Sequence, residues 1–247
     1  MTQTHSAVPE LPDFITFLAE YFRHNIIFDF LLRWQFVVYA ALTIAILVAL
    51  AYLATRKTSI IPNRIQNFTE LIVGGIDDFL CGILGQEGRH FVPFIGTLFV
   101  YILFMNVMGL IPFMKSATSS WSTTLALGLC VFGYVQYTGV RKLGFLGYLD
   151  HLAGKPRGIL AFSIVLPVMM VGLHILSELI RPISLSLRLR SNIWGDDLLL
   201  AVLTSFGLKG LPLLLLNTFA VLLAGIVQAV VFSLLSTIYF ALILVEE

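Results

Sequence analysis

Four ionisable residues in the last third of the sequence, His174, Glu178, Arg181 and Arg188, follow one another at intervals of four, three and seven residues. At about 100° per residue, that spacing puts all four on one face of a helix, joined by Asn192 one turn further on. Arg190 and Asp197 are seven residues apart and share the opposite face, about 180° from Arg188. One helix thus presents two polar surfaces, with Asp196 beside the second. A fixed cation on one side facing a partner, and a carboxylate on the other reached from water, is what an ion path made of two half-channels needs. The surrounding residues are apolar. Each Arg or Asp at the centre of a membrane helix costs roughly 2.5 to 3.5 kcal/mol, so these charges call for pairing, water or function. The residues alone leave two other readings open: a structural ion-pair network, and a loop at the surface.

A second, neutral stripe follows. Asn217 and Gln228 lie eleven residues apart, three turns, and so share a face with Ala224 between them. Ser233, Ser236, Thr237 and Tyr239 come next. Amides and hydroxyls in such a stripe line a water path or join helices by hydrogen bonds. Gln228 is the functional candidate, and the hydroxyls suit the joining.

The elements that must position these groups belong to a membrane protein. The chain has 247 residues, of which 58% are hydrophobic and 12% charged, with a mean hydropathy of +0.94, so lipid is its main solvent. A net charge of +1 offers no basic surface for nucleic acid. Cys81 and Cys130 have no CxxC and no His cluster around them, which argues against zinc. Residues 1–13 lack the basic start and apolar core of a secretory signal, so the N-terminus is expected to belong to the mature chain.

Three charge-free stretches are long enough to span: 36–55, 91–114 and 116–140. Residues 1–35 are expected to form an outer N-terminal segment. Residues 57–90 mix apolar positions with Arg64, Glu70, Asp77 and Asp78, the pattern of an interfacial amphipathic helix. The last third, 159–208 and 210–245, is expected to form a hairpin of two long, strongly tilted helices broken by Gly207, Gly210 and Pro212. The final run would be about 54 Å long as a helix, against a hydrocarbon core of roughly 30 Å. The expected fold is therefore all-α and polytopic, a single membrane domain with about five crossings. The basic loops around 57–90 and 141–157 place those loops inside, the N-terminus outside and the C-terminus inside.

The run RPISLSLRLRSN, Arg181 to Asn192, resembles the signature of the a subunit of F-type ATP synthases, usually close to PISLxLRLFGN. PNRIQNFTE at Pro62, FMNVMGLIP at Phe104, STTLALGL at Ser122 and IVQAVVFSLLSTIY at Ile226 match the same family in the same order. The resemblance implies a non-catalytic, ion-translocating subunit without an ATP site of its own, coupling ion flow to ATP synthesis or hydrolysis. It implies a ring of c subunits and peripheral-stalk b subunits as partners, no cofactor beyond the translocated H+ or Na+, and most simply a bacterial inner membrane. Residue by residue, the family's essential arginine falls on Arg188, its asparagine on Asn192, its acidic partner on Asp197 and its last-helix glutamine on Gln228. His174 and Glu178 would lie on the inward exit, with Arg181 and Arg190 as modulating charges.

The chain departs from the pattern at several positions. Arg190 and Ser191 stand where Phe and Gly are usual, and Trp194 to Asp197 replace an Ala-Gly-Glu ending. Ser119, Ser120 and Trp121 occupy a loop that is usually acidic, and Val221 a position often ionisable. Entry from outside then leans on Asp196 and Asp197, and Arg190 is placed to interact with Asp197 directly or through water. A secondary transporter or free-standing channel would also use charges on a broken helix, but no inverted repeat is visible. An intramembrane enzyme would need a nucleophile with a base or a metal cluster, and neither GxSxG nor HExxH occurs.

Overall fold

The computed structural model describes residues 34–56, 63–85, 87–111, 114, 116–152 and 162–245. The expectations for residues 1–33, for the loop 153–161 and for the start of the interfacial segment lie outside them. Among the described residues the secondary structure is helical, without strands, as in an all-α membrane protein. Its helices are α1 (Gln35–Thr55), α2 (Arg64–Leu84), α3 (Val92–Met108), α4 (Trp121–Leu152), α5 (Phe162–Ser205) and α6 (Leu211–Val245). Four stretches are long and apolar enough to cross a bilayer: α1, α3 together with the 3-10 turn before it (Gly88–Met108), the first part of α4 (Trp121–Lys142) and α6 up to Leu242. α5, the longest of the described helices, carries Glu178, Arg181, Arg188, Arg190, Asp196 and Asp197 along its length.

Length sets the geometry of the last pair. α5 has 44 residues and α6 has 35, or about 66 and 52 Å at 1.5 Å per residue, against a hydrocarbon core of roughly 30 Å. Both must incline, bend or project beyond it. They are joined by a tight 3-10 turn, Gly207–Gly210. Gly207 adopts φ 60°, a left-handed conformation that glycine takes at no steric cost.

α2 is amphipathic. Leu80 and Leu84 are buried while Phe68, Leu71 and Val73 are exposed, as expected of a helix lying at an interface. Asn63 caps it, its side-chain oxygen accepting from the Arg64 amide at 3.0 Å. At its other end Arg89 pairs with Asp77 at 3.2 Å.

The link between α3 and α4 is longer than the single residue that separates the apolar stretches 91–114 and 116–140. α3 ends at Met108, and residues 116–120 form an irregular turn with one 3-10 segment, Ala117–Ser119, before α4 begins at Trp121. α4 in turn continues past the third apolar stretch to Leu152, with a break at Gly144, φ 71°.

The core lies where α3, α4, α5 and α6 meet: Ile95, Ile102, Val131, Leu185, Leu189, Phe232 and Phe240 are almost fully buried. Phe91 stacks on Phe240 with centroids 4.6 Å apart, and Tyr134 packs edge-on against the same ring at 5.4 Å. α4 approaches α5 closely because Gly128 faces the Pro182 backbone, where a β-carbon would lie 2.8 Å from the carbonyl oxygen.

Candidate functional site

α5 has one packed face, formed by Pro182, Leu185, Ser186, Leu189 and Ile193, residues three or four apart as a helix requires. The polar stripe read from the sequence straddles the edge of that face and is divided by it. Glu178 and Arg181 fall on the inner side. The Arg181 guanidinium donates to Glu178 at 3.1 Å, with only 24% and 17% of the two side chains exposed. From α4, the Gln136 amide donates to the other oxygen of Glu178. From α6, the ring of Tyr239 lies beneath Arg181, 4.9 Å from centroid to guanidinium carbon. A small cleft lined by Gly128, Val131, Leu185 and Tyr239 surrounds the pair. The carboxylate therefore satisfies both oxygens inside the bundle, which offsets the cost of removing its charge from water. His174, one turn before Glu178, is half-buried.

Arg188 falls on the outer side. Its side chain is exposed between the buried Leu185 and Leu189, and it makes no hydrogen bond, ion pair or ring contact among the described residues. Its neighbours one turn away are the exposed Ser184 and Ser191 and the half-buried Asn192, and an exposed apolar strip of Ile180, Ile183, Leu187 and Trp194 runs along one side of it, roughly 80 to 140° round the helix. Arg190 is also exposed, but its guanidinium carbon lies 5.3 Å from the centroid of the Trp121 ring at the start of α4. Two of the departures from the family pattern thus meet. Further along α5, Asn192 and Asp196 are half-buried and Asp197 is exposed.

On α6, Gln228 is buried at 7% exposure with its amide nitrogen unpartnered among the described residues, as is the buried amide nitrogen of Asn217. Such groups are normally satisfied by ordered water or another polar atom. One turn before Gln228, the Gly225 carbonyl accepts from Asn106 of α3 at 3.1 Å. The oxygen of Asn106 accepts from Thr118 at 3.3 Å, and Thr118 and Ser116 share a hydrogen bond of 2.6 Å. This buried chain ties α3, the following turn and α6 together. Sequence reasoning missed Asn106, Thr118 and Gln136 as partners. The available signal was a lone amide inside an otherwise apolar span, at Asn106 and again at Gln136.

The fold and site define a class: a polytopic membrane protein whose longest described helix holds one ion pair inside the bundle and turns a second arginine outward. The sequence profile described as ATP synthase A chain matches residues 37–241, and the chain belongs to that family. It is 40% identical to ATP synthase subunit a of Protochlamydia amoebophila, with 97% of this chain and 91% of the relative covered. It is 37% identical to the subunit a of Solidesulfovibrio magneticus, covering 82% and 81%, and 33% identical to that of Nitratidesulfovibrio vulgaris, covering 84% of each. Membership makes the chain the a subunit of the membrane sector of an ATP synthase, engaged in ion transport.

Proposed function

We propose that this a subunit provides two ion half-channels that meet at Arg188, facing a rotating ring of c subunits, and that peripheral-stalk b subunits hold it still. An ion, H+ or Na+, enters from outside past Asp197, reaches a ring carboxylate, travels almost a full turn and leaves inward near His174 and Glu178. The N-terminus lies outside and the C-terminus inside, in a bacterial inner membrane. Each ion crossing releases about 2.3 kcal/mol per 100 mV, which drives rotation.

The observation that supports this reading is the exposed guanidinium of Arg188, which has no partner among the described residues and stands beside an exposed apolar strip of α5. A guanidinium there stays charged, and a carboxylate brought beside it by another chain is held ionised. That pairing offsets the cost of the cation in lipid and closes the direct route between the half-channels. Glu178 has a different setting. Its bonds to Arg181 and Gln136 favour a bracing part at the edge of the inward route.

The test is ATP-driven ion uptake into liposomes by the purified holocomplex, with passive leak measured in parallel. Arg188→Ala is expected to abolish pumping in an intact assembly and to raise the leak. Retained, tightly coupled pumping would show that another group carries the role. In the same assay Asp197→Ala is expected to lower pumping more than Asp196→Ala, and equal, mild effects would remove the outer entry from Asp197.

A further inference from the structure

We propose that Trp121 is a positioning residue: its ring holds the Arg190 guanidinium on the α4 side of α5, so that Arg188 alone is presented to the ring. The inference rests on the reading of Arg188 just given. Arg188 and Arg190 are two residues apart, so their backbones point about 200° apart around α5. Both side chains are exposed, both are long and flexible, and neither loses its charge at any physiological pH. Left free, a guanidinium on so long a side chain could swing round the helix and compete for the carboxylate that Arg188 is meant to meet.

Arg190 is restrained where it is. Its guanidinium carbon lies 5.3 Å from the Trp121 centroid, inside the ~6 Å at which a tryptophan face attracts a cation. The backbone of Trp121 is placed at the first residue of α4, where its carbonyl accepts from the buried Thr124 hydroxyl at 3.1 Å, while its ring is exposed and open to Arg190. The preceding turn is fixed by the buried Ala117 and Thr118. An aromatic face has an advantage over a carboxylate at this position. It holds the cation without taking up a proton, so the restraint neither titrates nor diverts the transported ion. Ser119 and Ser120 beside it bring no carboxylate either.

The experiment is ATP-driven pumping by the reconstituted holocomplex carrying Trp121→Leu, Arg190→Gln, or both, with assembly checked by subunit composition. Trp121→Leu is expected to slow pumping about tenfold, a factor in the range set by losing one cation–π contact. The double variant is expected to pump as fast as Arg190→Gln alone, because the freed cation is gone. Trp121→Phe keeps a ring and is expected to lie between wild type and Trp121→Leu; it replaces the Leu variant in the cycle if that one fails to assemble. A double variant as slow as the Trp121 variant alone, or normal pumping by Trp121→Leu, overturns the inference. Arg188→Ala in the same series separates the two ideas: if it stops pumping while the suppression fails, only the part assigned to Trp121 falls.

Discussion

Adding one methyl group at Gly128 tests how tightly the helix that carries the arginines is held. A β-carbon built there lies 2.8 Å from the Pro182 carbonyl oxygen and 3.4 Å from its carbonyl and α-carbons. Van der Waals contact begins near 3.4 Å, so α4 and α5 must part by about 0.6 Å. The obstacle is helix backbone and cannot swing aside. Overpacking of this kind costs about 1 to 3 kcal/mol, partly offset by the gain of up to about 1 kcal/mol when alanine replaces glycine in a helix. The separation also strains the Gln136–Glu178 bond, which spans the same two helices. Gly133, on the same helix with no atom within 4 Å, is the control: its alanine variant keeps the propensity gain without the clash. The expected difference between Gly128→Ala and Gly133→Ala is therefore about 1 to 3 kcal/mol. It is read as the shift in SDS concentration needed to unfold the chain in mixed micelles, with pumping by the holocomplex as a second measurement. If the two variants unfold together, the close approach at Pro182 does not exist and the account of how α5 is seated is wrong.

Three further outcomes are expected. Asn106→Leu removes the bonds to Gly225 and Thr118 and leaves buried polar atoms unpaired, so it should cost about 1 to 3 kcal/mol in the same unfolding titration, whereas an unchanged midpoint would show that the chain of bonds contributes nothing. Glu178→Leu leaves the largely buried Arg181 without its carboxylate and should destabilise the chain by about 3 kcal/mol; Glu178→Leu combined with Arg181→Met should recover much of that loss, and failure to recover would mean the pair is not coupled. The Cys81 thiol is pushed above its ordinary range by burial first and then by the Asp77 carboxylate, its hydrogen-bond partner at 3.6 Å. Less of it is thiolate at neutral pH, so in a Cys130→Ser background its alkylation should be slow, rise with pH, and quicken at pH 8 in Asp77→Asn; equal rates with and without Asp77 would refute that cause.

The helical class and the long final hairpin could be read from composition and run lengths, because apolar length against bilayer thickness is a coarse quantity that tolerates errors of a few residues. The break between α5 and α6 was equally legible, since Gly207 and Gly210 suit few other local structures. The division of the polar stripe was not. Arg181 and Arg188 lie seven residues apart, nearly in line along the helix, yet one is enclosed and the other exposed. Which of them faces the bundle depends on where α4 and α6 cross α5, and that is fixed by residues such as Gln136 and Tyr239, far away in sequence. Arg190 is a similar case. Periodicity placed it with Asp197, while the available partner, Trp121, is the first residue of α4 and is set in place by a preceding turn whose shape no helical pattern describes.

The seating of α5 has a mechanical consequence. On the proposed reading, a rotor that is driven past Arg188 pushes back on the stator with equal force, and that push enters the chain through one side chain on an exposed helix face. Leu185 and Leu189, immediately beside Arg188, are buried to 2% and 0% exposure, so the load passes straight into packed side chains with little room to yield. Within three turns it meets the contacts from α5 to α4 and α6 at Gln136 and Tyr239. The bundle thus works as an abutment: stiffness on the inner face of α5 keeps the energy of each ion step from being spent in bending the stator.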